Sequence, residues 1–247
     1  MRFLFFLLIP IVVCGQINFV DSNGLKQGDW QLFFPFKSDS LLSEEGAFVN
    51  NLEEGVWLKY HENGQLREIS NYSKGKLDGV RISLNKRGKL SEQEFYIDGK
   101  HNGRQLYFHD NGKIHIDIFY LMGVQNGVYS KYYRNGKIQE NCIYVNGYKD
   151  GLASWYFDNE VISIQYNYQS GFIVDTAFSY YKTGNLKSQA LYKDNELNGE
   201  QIIFFPDGGV KERGFFVDGL KDGNWCIYDS LGVKIECYRY KRGVKNE

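Results

Sequence analysis

"YYRNGKIQENCIYVNGYKDG" (Tyr132–Gly151) has the cadence of "KYHENGQLREISNYSKGKLDG" (Lys59–Gly79): aromatic, Asn-Gly, aliphatic, aromatic, Gly, then Gly four residues on. The echo is a period. From Gly55, the glycines Gly79, Gly103, Gly127 and Gly151 follow at steps of 24, Asp175 takes the next place, and Gly199 and Gly223 complete the series. A fixed period of this length sets the architecture before any single element does.

With each opening residue counted as offset 0, offset 17 is aromatic in all eight units, from Tyr72 through Tyr96, Tyr120 and Tyr144 to Tyr240. Each unit carries two turn signals, Asn-Gly or a relative at offsets 8–9 and glycines at offsets 20 and 24. The runs between them are short and rich in aromatic and β-branched residues, so each unit reads as one β-hairpin. The expected fold is all-β: an elongated antiparallel β-meander of about nine 24-residue hairpin repeats, about eighteen strands, forming a twisted sheet.

Apolar residues at offsets 3 and 5 of the first strand (Leu58, Tyr60) and 11 and 17 of the second (Leu66, Tyr72) are all odd. A three-residue loop with Gly in the left-handed position puts these sets on one face, whereas a two-residue loop would oppose them. The three-residue loop is expected. In that register Cys226 and Cys237 point to opposite faces, so no disulfide is expected between them.

Three segments are read. Residues 1–15, "MRFLFFLLIPIVVCG", have the charge, apolar run and small end residue of a signal peptide. Cleavage after Gly15 leaves Gln16 first, and the alternative is lipidation at Cys14. Residues 16–54 form an atypical capping repeat, opening at Gly28 with Trp30 and Phe33 and carrying an insertion around "PFKSDSLLSEE". Residues 55–247 hold the eight regular repeats, and no linker or compositional shift divides them.

The composition excludes some functions. The formal net charge is −1, and charged residues are 24% of the chain. A field strong enough to hold nucleic acid is not expected, and a membrane is expected to be engaged only through lipidation at Cys14. Three cysteines beyond the signal leave at least one thiol unpaired, and Cys142 at offset 15 reads as buried and inert.

The unit Gly55–Gly79, with its recurring Gly, Trp, Tyr, Asn-Gly and Tyr-x-x-Gly positions, resembles the variant MORN-repeat family, whose bacterial members are commonly described as antitoxin-like. The resemblance covers Gly28 to Glu247. It implies a repeated hairpin sheet, an interaction role with a protein partner, and neither cofactor nor catalytic residues.

His109 and His115, with His61 in the same column as His109, suit either a metal or a solvated polar face. Glu44–Glu45 and Glu53–Glu54 read as exposed acids rather than a glycosidase pair. Glu160, Asp175 and Asn195 replace Gly in adjacent units, either as drift or as a changed turn that remodels a binding surface. Trp57, Tyr107, Tyr129, Trp155 and Trp225 lie at even offsets. They form either a binding surface or a second packed stripe. The function expected is a non-enzymatic exported scaffold. An antitoxin is the alternative, and an envelope glycan-active protein follows.

Overall fold

A computed structural model of the chain describes residues 16–35 and 41–246. The signal peptide reading, with Cys14, lies outside the described residues, as does part of the insertion before Leu41. Every regular element among the described residues is a β-strand. Two of the long strands are interrupted at single residues, Asn102 and Asp150, and short pieces sit at each end. The remainder is the antiparallel meander of eighteen long strands that nine hairpins require. The strands group into two compact units, one up to Gly88 and one from Lys89. The 24-residue period runs through this division without a mark.

In the first unit the strand Leu52–Tyr60 pairs with Leu66–Ser73. The His61 N–H donates to Gln65 O at 2.8 Å, and the Gly64 N–H donates to His61 O at 2.8 Å with φ +79°. This is the expected three-residue loop. The second hairpin turns on Lys74 and Gly75, both with positive φ, in the two-residue form that suits the strand twist. The Gly75 N–H donates to Glu53 O at 2.9 Å, which joins successive tips.

One feature of the register differs from expectation. Tyr60 opposes Leu66, as the loop dictates, but Lys59 then opposes Glu68, leaving Arg67 as an extra residue. The bulge recurs in the second unit between Lys131 and Tyr132, and between Ile227 and Tyr228. Beyond it, even offsets on the first strand face odd offsets on the second. Two expectations therefore fail. The buried face carries Trp57 and Trp225 at even offsets on first strands, with Ile118 and Cys142 at odd offsets on second strands. And Cys226 lies directly opposite Cys237, Cα–Cα 4.0 Å, in a disulfide. The loop was right, and the extra residue behind it reversed the pairing.

Glu160, Asp175 and Asn195 keep the local form of their glycine counterparts, at φ +71°, +61° and +73°. The Glu160 N–H donates to Phe157 O at 2.9 Å, as Gly64 does to His61. The turn type is not remodelled at these positions.

Candidate interaction surface

The face that buries the even offsets is a field of aromatic rings. Within the second unit Tyr129 meets Tyr144 edge-on at 5.9 Å, Trp155 meets Tyr166 at 5.8 Å, and Phe216 meets Trp225 at 5.1 Å. Such pairs contribute about 0.5–1.5 kcal/mol each beyond area burial. Lysines from the start of the following hairpin arm lie across the rings. Lys149 Nζ is 4.6 Å from the Trp155 ring and 2.7 Å from the Glu140 carboxylate. Burial pulls the Lys149 ammonium down, but the Glu140 hydrogen bond and charge outweigh it and hold the group above its ordinary value.

The five aromatics singled out from the sequence all sit in this field, and they are packed. Trp57, in the first unit, is 2% exposed and its Nε1–H donates to Ala47 O at 3.1 Å. Trp225, in the second, is 3% exposed, and its Nε1–H donates to Glu212. Tyr107 is half-buried and donates to Glu94 at 2.9 Å, so burial and then the carboxylate push its hydroxyl pKa up. Tyr129 is half-buried, and burial pushes it up to about 12. Trp155 is half-buried between Tyr166 and Lys149. Trp57 and Trp225 are thus buried, while Tyr107, Tyr129 and Trp155 keep part of their rings at the surface.

The histidines have structural settings. His61 Nε2 lies 2.9 Å from Leu84 O, and His109 Nε2 lies 2.9 Å from Tyr132 O, each joining a tip to the next repeat. His115 stacks on His109 with ring centroids 4.3 Å apart. Among the described residues no group of three or more His, Cys, Asp or Glu side chains is placed to hold a metal ion. The acids at the insertion and first turn are also engaged. Glu45 accepts from the Tyr60 hydroxyl at 2.5 Å, Glu54 accepts from the Lys74 N–H at 2.9 Å, and Glu44 opposes Lys59. Cys142 is 1% exposed, and burial pushes its thiol up to about 11, as an inert cysteine requires.

The aromatic face of the second unit has a depression. In the repeat that begins at Asp175, offset 2 is Ala177 and offset 15 is Ala190, both buried. With Ser179 and Ser188 they floor a depression of about 120 Å³ walled by Tyr166 and Tyr192. The two rings meet edge-on at 5.8 Å, and the serine hydroxyls bond each other at 2.6 Å. Burial, then the Tyr166 neighbour, pushes the Tyr192 hydroxyl pKa up. The period carried a signal for this site: Ala177 stands in the column that elsewhere holds Trp57, Tyr129 and Trp225, and Ala190 in the column that holds Ile118, Cys142 and Tyr166.

A family model described as MORN repeat variant matches the chain at residues 53–74, 102–121, 125–146 and 176–194. These matches fall on hairpins of the period described above. No curated protein matches the chain.

Proposed function

We propose that this chain of MORN repeat variants is a non-enzymatic, exported interaction scaffold that binds a protein partner across the aromatic face of its second unit. MORN repeats are generally protein- or membrane-interaction motifs, which supports the class. The observation that carries the choice of surface is the depression over Ala177 and Ala190 between Tyr166 and Tyr192. Rigid tyrosine walls around a small desolvated floor suit one anchoring side chain of a partner, where interface energy concentrates. The lysines over the neighbouring rings supply a polar margin.

The exported setting draws support from the Cys226–Cys237 disulfide, since such bonds persist in oxidising compartments. It draws further support from the apolar run Phe3–Val13 behind Arg2. An antitoxin acting beside a cytoplasmic toxin fits the disulfide less well.

The test is site-specific photocrosslinking. A photoreactive residue at Gln201, beside the depression, should give a discrete protein adduct in the native host, and Ala177→Trp, which fills the floor, should abolish it. No adduct, or an adduct unchanged by Ala177→Trp, would overturn the choice of surface. Intact mass of the native protein checks the setting: a chain beginning at Gln16 with Cys226 and Cys237 oxidised is expected, and a reduced chain retaining Met1 would refute export.

A further inference from the structure

The opposite face of the second unit carries a different surface. Leu121 opposes Val124, Val128 opposes Ile143, and Val145 opposes Tyr148 across three successive strand pairs. All six are 45–61% exposed. Leu152 at 57% and Phe172 at 49% continue the stripe. None of the eight is charged. Of the neighbouring charges, Arg104 is held by Asp117 at 2.7 Å and Asp150 accepts from the Ser170 N–H at 2.9 Å, while the Lys100 side chain lies beside Gly123 at the edge of the stripe.

The fold does not demand this apolarity. The columns that hold Val145 and Tyr148 hold Lys193 and Glu196 two repeats later, opposite each other in the same register. Polar residues therefore satisfy the hairpin equally well, as an exposed sheet face ordinarily requires. The stripe is also large. Eight side chains about half exposed leave on the order of 800 Å² of apolar surface, above the roughly 300–600 Å² of the largest patch on a typical monomer.

We propose that this face is the interface between two copies of the chain, stacked sheet on sheet about a two-fold axis. Three observations select a second copy. The area is of the order of one partner's share of a standard interface, roughly 800 Å². The eight side chains carry no charge, so the body of the stripe selects neither an acidic nor a basic partner and is complementary to itself. Its ridges repeat with the strand spacing of about 4.8 Å, so a second copy presents ridges at the same interval. The dimer covers this face and leaves the aromatic face of both copies open.

Sedimentation equilibrium of the purified mature chain over a range of concentrations tests it. The wild type should sediment at twice the chain mass. Val128→Glu with Ile143→Glu should weaken association at least about 100-fold, because each glutamate would be buried without a partner. Both positions are about half exposed, so the variant should keep its circular dichroism, with a somewhat lower melting temperature because the two glutamates face each other across the strand pair. A milder variant, Val128→Ser with Leu152→Ser, should weaken the dimer measurably and guards against misfolding of the first. A wild type that is monomeric at all concentrations overturns the proposal, as does a dimer that survives both variants. Monomers that bind phosphatidylcholine vesicles through Val128 and Ile143 would assign the stripe to lipid and equally overturn it. Crosslinking at Gln201 lies on the other face, so its failure and the failure of this interface are separable.

Discussion

Gly214 lies flat against the Trp225 ring: a Cβ at Gly214 would sit 2.0 Å from Cε3, closer than real atoms approach. Gly46 has the same relationship to Trp57 in the first unit, at 2.4 Å. Neither glycine has the positive φ that usually explains the residue type. They are there for space. The face is thus packed by matched sizes, with Gly beside Trp at two repeats and Tyr166 beside Ala177 at another. Where Ala177 and Ala190 fall in one repeat, the matching leaves a depression.

Overpacking at this contact should be measurable. Gly214→Ala is expected to destabilise the protein by about 1–3 kcal/mol, since the indole must shift against Phe216. In a Trp225→Ala background the same change should cost less than about 0.5 kcal/mol. Urea denaturation of the four proteins in the cycle checks this. Equal costs in both backgrounds would show that the indole is not what excludes a side chain.

The disulfide pins the final full hairpin, whose outer strand Lys234–Lys241 pairs beyond it only with the three-residue strand Val244–Asn246. Closing a loop between residues 11 apart in sequence should stabilise by about 2–3 kcal/mol. Cys237→Ser, or dithiothreitol on the wild type, should lower the unfolding midpoint by similar amounts. Dithiothreitol should have no further effect on Cys237→Ser, and Cys142 should stay unreactive to a thiol reagent until the chain unfolds.

Glu68 gives the first unit a pH dependence. It is 7% exposed, with Arg81 Nη2 at 2.8 Å and Lys59 Nζ at 3.1 Å. Burial raises its carboxyl pKa, but Arg81 and then Lys59 outweigh burial and hold it below 4.5. A depressed folded pKa means that the stabilisation is fully present above the unfolded value and is lost as pH falls through the folded one. Stability should therefore decline below about pH 4.5. Glu68→Gln should flatten that decline and cost about 1–3 kcal/mol at pH 7, because the amide keeps an acceptor oxygen but removes the negative charge beside Arg81 and Lys59. Denaturation midpoints from pH 3 to 7 for both proteins decide it.

The period, the hairpins and the left-handed loop residue were legible because backbone needs a particular residue there: Gly64 at φ +79° and Lys74–Gly75 in a primed turn leave direct marks in the sequence. The extra residue at Arg67 was not legible. A bulge of this kind accepts ordinary side chains, so neither Arg67 nor its counterparts announce it. That one residue decides which face Trp57 and Trp225 occupy and whether Cys226 meets Cys237. The five aromatics were found by their parity, and their burial could not be, because parity does not say which face is covered. The Ala177–Ala190 depression was present in the columns as two small residues, but its meaning depends on the corrected pairing.

Glu160 offers the most direct test of how firmly the period fixes its loops. It holds φ +71° in a loop where other repeats have Gly, and it makes the same turn. A residue with a Cβ loses about 1 kcal/mol in that conformation relative to Gly. Its ion pair with Lys137 at 3.2 Å is exposed on both sides and returns little of this. Glycine also makes the unfolded chain more flexible, which offsets part of the gain. Glu160→Gly should therefore stabilise the protein by about 0.5 kcal/mol, and Glu160→Asn, which tolerates the left-handed region, by a similar or smaller amount. Thermal and urea denaturation measure both. Destabilisation by Glu160→Gly would mean that the Glu160–Lys137 contact outweighs the backbone, and the loop would then owe its shape to a side chain instead of the period.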